Sequence, residues 1–368
     1  MENLPKYNGL DITKFERMLD YKYLTNSYKI YWLLGTFHEV INGNREITFE
    51  RIAFRMIAKS WYPIIQYKLK FGQIDQLENI ILTIYNTYKF EKDIDEDELV
   101  SALELYKEDK IIQSSIRNLC KYVPYRLIRP FFNFKSMSDH QNQKTLIELS
   151  KHSQEALYKV TDNNKIIINE CWYNYMVSNQ TIIDGWIKYK LIYFLQKRNT
   201  NVPAIPFKLS APKQRNLSKA KKFWNTINEI DQLYDIYTNL PLNEINVEKY
   251  GAISIDHFIP WSFVLHDETW NLVPTFRDVN SSKSDKLPNL DKYFYQFCNI
   301  HYNAIKLILT NDINLKLFED YLNLEEKLLN KDFLRDEHRS KKEFINSLSS
   351  TIYPLHQIAQ NQGFEVWN

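Results

Sequence analysis

Residues 251–290 read GAISIDHFIPWSFVLHDETWNLVPTFRDVNSSKSDKLPNL, and the order of elements in this stretch decides the fold. Ile253, Ile255 and His257 alternate with Ser254, Asp256 and Phe258, the period of a strand, so Asp256 and His257 project to different sides. Pro260 ends that strand. A loop rich in polar residues and closed by Trp270 leads to a second short strand, Asn271 to Val273. Thr275 with Asp278 three residues later reads as a capping box, which predicts a helix starting near Phe276 and stopping before Pro288. On that helix Asn280 and Lys283 are three positions apart and share a face.

A strand, loop, strand, helix order gathers a carboxylate, an imidazole and a carboxamide around one small volume. Metal-assisted phosphodiester hydrolysis needs that set. A hard cation such as Mg²⁺ takes a few oxygen ligands and leaves its other positions to water and phosphate, and Asp256 with the side-chain oxygen of Asn280 can supply them. An imidazole with an ordinary pKa of ~6.5 suits proton removal from an attacking water near neutral pH, the role open to His257. Its ring must be held in one tautomer; a backbone carbonyl in the adjoining loop is the expected acceptor, with Asn271 bracing the loop. His266 is either a second imidazole of this site or a loop histidine with no part in it.

These residues resemble the HNH, or ββα-metal, endonucleases. The Asp256-His257 pair, the Asn271 of Trp-Asn-Leu and the Asn280 of Val-Asn-Ser-Ser-Lys-Ser-Asp-Lys-Leu-Pro follow that family's order and spacing. The core is most similar to the HNH domain of RNA-guided CRISPR nucleases, where the third letter is also Asn. The resemblance implies Asp256 and Asn280 as metal ligands, His257 as general base, Asn271 as loop organiser and Lys283 as a phosphate contact. It extends weakly upstream through Asp235 to Leu242, where a small lead-in hairpin is expected. Two features depart from the family pattern. Many HNH proteins staple the motif with two Cys-x-x-Cys pairs around zinc, which Cys120, Cys171 and Cys298 cannot form. The last letter is Asn rather than His, which favours Mg²⁺ or Mn²⁺ over zinc or nickel.

Upstream, Lys208, Lys213, Arg215, Lys219, Lys221 and Lys222 form a basic arm with no acidic residue between them. It reads either as a phosphate-contacting surface or as a solvated helix start. A proline-punctuated connector, Val202 to Phe207, precedes it. Before the connector a helix is expected from Trp172 to Arg198, burying Ile182, Ile183, Trp186, Leu191 and Leu195. Ala156–Val160 and Lys165–Asn169 flank the turn signal Asp162-Asn163-Asn164 and predict a β-hairpin. Residues 1–155 are helical in pattern, with Asp11 and Thr48 as caps and the acidic run Glu91–Glu98 read as the solvated start of a helix. The tail from Asp291 is again helical: Leu307, Leu315, Leu317, Leu322, Leu328 and Leu329 recur at helical intervals, and a last helix is expected around Ile352–Ile358.

The expected architecture is therefore α+β and predominantly α-helical, with a ββα motif embedded in the C-terminal part and no structural zinc. Four segments follow: a helical partner or sensor region (1–155), a hairpin, long helix and connector (156–207), the basic arm and HNH core (208–290), and a helical region packing on that core (291–368).

Composition narrows the function further. The chain has seven glycines in 368 residues, and the closest pair, Gly35 and Gly43, are too far apart for a dinucleotide or phosphate loop. An aromatic fraction of 15% at helical spacing among Leu and Ile is expected to be core rather than base-stacking surface. With 47 basic against 45 acidic side chains, the net charge of +2 names no partner. Scattered cysteines, a start without a basic and apolar leader, and no apolar run near ~18 residues point to a soluble cytoplasmic protein without a membrane partner. His38, His140, His152, His301, His338 and His356 form no ligand spacing with one another and read as structural.

The expected activity is metal-dependent hydrolysis of DNA, one strand per site, and nothing in the sequence separates RNA from DNA. By family analogy the setting is a prokaryotic anti-phage effector or restriction nuclease with a partner such as an ATPase or sensor subunit, or with self-association. The competing readings are a homing-type nuclease and a non-catalytic nucleic-acid-binding module.

Overall fold

The computed structural model describes residues 4–133, 138–212, 215–311, 313, 319–321, 324 and 337–368. Two compact units divide the chain: residues 1–200 with 205–212, and 201–204 with 213–368. Helices dominate both, as the α+β reading expects.

The first unit opens with α1 (Ile12–Arg17), α2 (Tyr28–Ile41), β1 (Glu46–Thr48) and α3 (Phe49–Trp61). It continues through α4 (Leu77–Tyr88), α5 (Glu96–Leu105), α6 (Lys110–Cys120), α7 (Val123–Ile128) and α8 (Asp139–His152). Then come β2 (Tyr158–Val160), β3 (Lys165–Ile168), α9 (Glu170–Ser178) and α10 (Gln180–Gln196). Asp11 caps α1 by accepting from the Thr13 N–H, and the Thr48 hydroxyl accepts from the Arg51 N–H at the start of α3. Gly35 lets α2 and α3 cross closely: a Cβ there would meet the Ile52 carbonyl at 3.2 Å. The aromatic residues are core, since Phe15 stacks on Trp172 at 5.2 Å and Trp32, Trp61, Trp172 and Trp186 are buried. Removing side chains of this size from water contributes roughly 1.5–3 kcal/mol each.

Three expectations are corrected in this unit. The hairpin β2–β3 forms, but β3 also pairs antiparallel with β1, so it belongs to the N-terminal unit rather than to a separate segment. The long helix is two helices, α9 and α10, broken at Asn179, and Ile182 is exposed whereas Ile183 is buried. The acidic run does begin a helix, with Asp95 as cap of α5, yet it is only partly solvated. Glu96 pairs with Lys59 at 2.9 Å, and Asp97 pairs with Arg55, which is buried against Glu39.

The second unit contains α11 (Ser218–Ile230), α12 (Glu244–Tyr250), β4 (Ile253–His257), α13 (Trp261–Val264), β5 (Leu272–Phe276) and α14 (Arg277–Lys283). After these come β6 (Leu287–Pro288), α15 (Leu290–Thr310), α16 (Glu337–Asn361) and β7 (Val366–Trp367). β4 and β5 pair antiparallel from Ile253 opposite Phe276 to His257 opposite Leu272. Helices brace this ribbon where zinc would otherwise staple it. The Trp224 indole of α11 donates to the Leu272 carbonyl at 3.0 Å, and Phe297 of α15 stacks on Phe258 at 3.9 Å. α16 packs on α15 and runs through Pro354, so the last helix is longer than expected. Its chain end returns as β7 to pair parallel with β6. Leu307 lies in α15, while Leu315, Leu317, Leu322, Leu328 and Leu329 fall outside the described residues.

Candidate active site

The ββα core is assembled from β4, β5 and α14. Gly251 turns the chain into β4 with φ 81, a value that disfavours any side chain, and a Cβ there would stand 3.1 Å from Asp278 Oδ1. The capping box does not form. Thr275 is instead part of β5 opposite Ser254, its buried hydroxyl has no partner among the described residues, and α14 simply follows the strand at Arg277. β5 accordingly runs farther than Asn271–Val273, because its pairing with β4 continues to Phe276.

α14 lies against β4 in register. Asn280 donates through Nδ2 to Ser254 Oγ at 2.8 Å and to the Ile255 carbonyl at 3.2 Å. Three residues on, Lys283 donates through Nζ to Asp256 Oδ1 at 3.0 Å and to the His257 carbonyl at 2.7 Å. Lys283 is fully buried, so it is not the phosphate contact that the sequence suggested. Its ammonium has been spent on fixing two neighbouring residues of the site. Burial pushes the Lys283 pKa below the usual lysine value, and the Asp256 charge opposes that shift.

Asp256 and His257 are 3% and 4% exposed, at the end of β4. The second oxygen of Asp256 accepts from the Tyr237 hydroxyl at 2.5 Å. Tyr237 comes from the lead-in turn, which is closed by a Tyr234–Pro241 bridge and by the Asp235 carboxylate accepting from Thr238 at 2.6 Å. Burial, then the charge and hydrogen bond of Asp256, raise the Tyr237 pKa well above that of an ordinary phenol. Tyr293 and Trp367 close on the Tyr237 ring edge to face at 5.1 and 5.2 Å.

The His257 ring is oriented by a carboxylate, not by the backbone carbonyl expected. Nε2 lies 2.8 Å from Asp267 Oδ1. Asp267 Oδ2 in turn accepts from the Asn216 N–H at 2.8 Å. Burial alone would raise the Asp267 pKa, but the His257 hydrogen bond, the Asn216 N–H and the nearby charges hold it below the usual value. Asn271 is buried and bridges the loop in both directions: Oδ1 accepts from the Ile259 N–H and Nδ2 donates to the Ile259 carbonyl, each at 2.9 Å. Its own carbonyl accepts from the Phe258 N–H at 2.8 Å. His266 accepts weakly from the Glu268 N–H and packs against Trp270.

The basic arm is divided by the fold. Lys208 is buried in the first unit, where burial lowers its pKa to about 7, so it leaves the arm. Lys213 lies outside the described residues. Arg215 sits over Trp261 at 5.3 Å, Lys219 pairs with Asp320 at 2.7 Å, and Lys221 and Lys222 are exposed on α11.

The donor chemistry suits a hard divalent cation. A carboxylate has about four acceptor positions, and the two partners of Asp256, Tyr237 and Lys283, do not fill them. Asn280 directs its NH₂ into β4, which leaves Oδ1 as its free acceptor. Among the described residues no group of three or more His, Cys, Asp or Glu side chains is arranged around a metal, so any cation here rests on these two oxygens with water or phosphate. Tyr237 and Asp267, which contact Asp256 and His257, are not singled out by the sequence; the signal for Tyr237 is its place in the lead-in turn.

Residues 235–289 match the family described as HNH endonuclease, a span that begins at the lead-in turn and ends after α14. No curated protein and no solved structure is significantly similar to the chain. Tyr237, Asp256, His257, Asn271, Asn280 and Lys283 all fall within the matched span, and HNH nucleases as a family depend on divalent metals. The chain thus carries, at residues 235–289, a domain of the HNH endonuclease superfamily.

Proposed function

We propose that this protein is a divalent-metal-dependent endonuclease that hydrolyses DNA phosphodiester bonds, cutting one strand per active site. The observation that carries this reading is the His257–Asp267 pair, 2.8 Å long, next in sequence to a buried Asp256, with Asn280 of α14 bonded to Ile255 one residue before it. With Nε2–H donated to Asp267, the imidazole lone pair resides on Nδ1, which has no hydrogen-bond partner among the described residues. Nδ1 takes the proton from the attacking water as its oxygen bonds to phosphorus and the P–O3′ bond breaks. Asp267 stabilises the imidazolium formed in that step. Asp256 and Asn280 would hold Mg²⁺ or Mn²⁺, which when bound offsets negative charge on the phosphate and the leaving oxygen. Lys283 and Tyr237 keep the Asp256 carboxylate in one orientation, and Asn271 keeps the loop after β4 from collapsing onto the ring. Exposed Arg215, Lys221 and Lys222 supply sequence-independent attraction for the backbone.

The layout, a helical unit joined to a nuclease unit, supports an effector nuclease of a prokaryotic anti-phage or restriction system whose first unit receives a partner or trigger. Supercoiled plasmid incubated with Mg²⁺, with EDTA, and with the His257→Ala and Asn280→Ala variants tests the chemistry. Open circles should accumulate only with metal and the unaltered protein. Unchanged cutting by either variant overturns the assignment, and cleavage of a matched RNA but not of plasmid moves the substrate to RNA.

A further inference from the structure

Asp267, the carboxylate that orients His257, stands in an irregular stretch, residues 265–268, between α13 and the single 3-10 turn Thr269–Asn271. Leu265 enters this stretch in a left-handed conformation, with φ 58. Neither a helix nor a strand ladder fixes such a segment, so its geometry depends on what anchors its ends. The downstream anchor is Asp320, which lies in sequence between α15 and α16. Its Oδ2 accepts from the Thr269 N–H at 2.8 Å and from the Thr269 hydroxyl at 2.7 Å. Its Oδ1 accepts from Lys219 Nζ of α11 at 2.7 Å. The next residue, Tyr321, is fully buried against Phe223 of α11, and its hydroxyl meets His301 Nδ1 of α15, which fixes Asp320 in place.

An exposed lysine–aspartate pair contributes little by itself. This one differs, because the Asp320 side chain is 18% exposed and both of its oxygens are engaged, one of them with a buried residue. Burial alone would raise the Asp320 pKa, but Lys219 and the two Thr269 donors hold it below the usual carboxylate range. The start of α11 therefore reaches the loop twice. The Asn216 N–H binds Asp267 directly, and Lys219, three residues on, reaches Thr269 through Asp320. Misplacing a group that orients a base by ~1 Å can cost about 100-fold in rate. We infer that Asp320 and Lys219 are positioning residues of the nuclease centre, latching the loop at Thr269 so that Asp267 meets His257. The inference rests on the nuclease reading of His257, and it withdraws Lys219 from the DNA-contacting surface.

Plasmid nicking and hydrogen–deuterium exchange of the full chain test it. Asp320→Asn should slow nicking by about tenfold, and Lys219→Met by less, with plasmid binding in the absence of metal within about twofold. Lys219→Arg should retain the rate, since a guanidinium can still donate to Asp320. In both slowed variants the amides of residues 266–271 should exchange at least about fivefold faster, while those of β4 stay protected. Because Asp320 acts through Asp267, the Asp267→Asn/Asp320→Asn pair should be no slower than Asp267→Asn alone, whereas a merely structural role would make the two losses add. Additive losses, unaltered exchange at 266–271, or a Lys219→Met protein that binds plasmid more weakly but cuts at the full rate once saturated overturns the latch. Absence of any nicking by the unaltered chain with Mg²⁺ overturns the nuclease reading and the latch with it; an active chain indifferent to Asp320 overturns the latch alone.

Discussion

The Tyr237 hydroxyl donates to Asp256 Oδ2 across 2.5 Å from a turn nineteen residues upstream of the strand it serves. Lys283 Nζ lies 3.0 Å from each oxygen, so the carboxylate proposed to carry the metal is held by two residues that touch no substrate. Tyr237 is itself held by Tyr293 and by Trp367 of β7, which ties the end of the chain to the site. Outer partners of this kind affect metal affinity or activity by roughly 10–100-fold. Tyr237→Phe keeps the ring contacts and removes only the donor. Its nicking rate should fall by about that factor and the Mg²⁺ concentration for half-maximal rate should move, with the thermal midpoint little changed. Trp367→Ala should shift the Mg²⁺ dependence in the same direction but less, because the hydroxyl stays. A Tyr237→Phe enzyme with unaltered Mg²⁺ dependence would remove Tyr237 from the site.

Lys283 distinguishes the reading made from sequence from the one made from structure. As a phosphate contact, its loss would weaken DNA binding and flatten the salt dependence while leaving stability alone. As a buried partner of Asp256, its loss leaves a charge uncompensated inside the protein, at a cost of about 3–5 kcal/mol. Urea unfolding of Lys283→Met should show a loss of that size. Adding Asp256→Asn should restore part of it, since the charge left unpaired is then gone, and strict additivity of the two substitutions would refute the pairing.

What was legible in the sequence was local. Alternation through Ile253–His257, the stop at Pro260 and the i, i+3 relation of Asn280 and Lys283 each concern neighbours within one element, and the ββα order followed from them. The bracing by Asn271 was legible for the same reason, because it acts on the loop between two adjacent strands. Residues that complete the site from elsewhere were not. Tyr237 reaches Asp256 from another element, and Asp267 reaches His257 because the loop folds back after α13, a path that no periodicity encodes. The same limit explains the hairpin's third strand: nothing in Glu46–Thr48 says which distant strand it will join. Thr275 misled because a capping pattern and a strand end can share the same residues, and pairing with Ser254 won.

Asp267 connects two segments through one carboxylate, with His257 on one oxygen and the Asn216 N–H on the other. Asp267→Asn keeps a carboxamide in the same space but loses the charge that stabilises the imidazolium. Cleavage should drop by roughly 10–100-fold while plasmid binding, measured without metal, stays within about twofold. Stability should respond to pH in a defined direction. The folded carboxyl is depressed below its unfolded value of ~3.9, so its contribution is present above about pH 4 and lost as pH falls through the folded value. Urea midpoints for the unaltered chain and the variant should therefore converge below pH ~4, and a constant gap across that range would show that the Asp267 charge contributes nothing to folding.

His301 gives the second unit an acid sensitivity at higher pH. It is fully buried in α15 between Trp224 and Phe297, Nδ1 faces the Tyr321 hydroxyl, and Nε2 has no partner among the described residues. Burial lowers its pKa to about 3, against ~6.5 in an unfolded chain. The unfolded state therefore takes up a proton below pH ~6.5 that the folded state refuses until about pH 3, and stability falls through that window by up to ~1.4 kcal/mol per pH unit. In the first unit His38, lowered to about 4 by burial and by Lys59 and Arg55, adds a separate share. His301→Gln stays neutral throughout and can still face Tyr321. It should be less stable than the unaltered chain near pH 7, where the imidazole packs better, yet lose stability more slowly between about pH 6.5 and 4. Parallel slopes for the two proteins over that range would mean that the imidazole is protonated in the folded state, and the buried, neutral His301 would have to be abandoned.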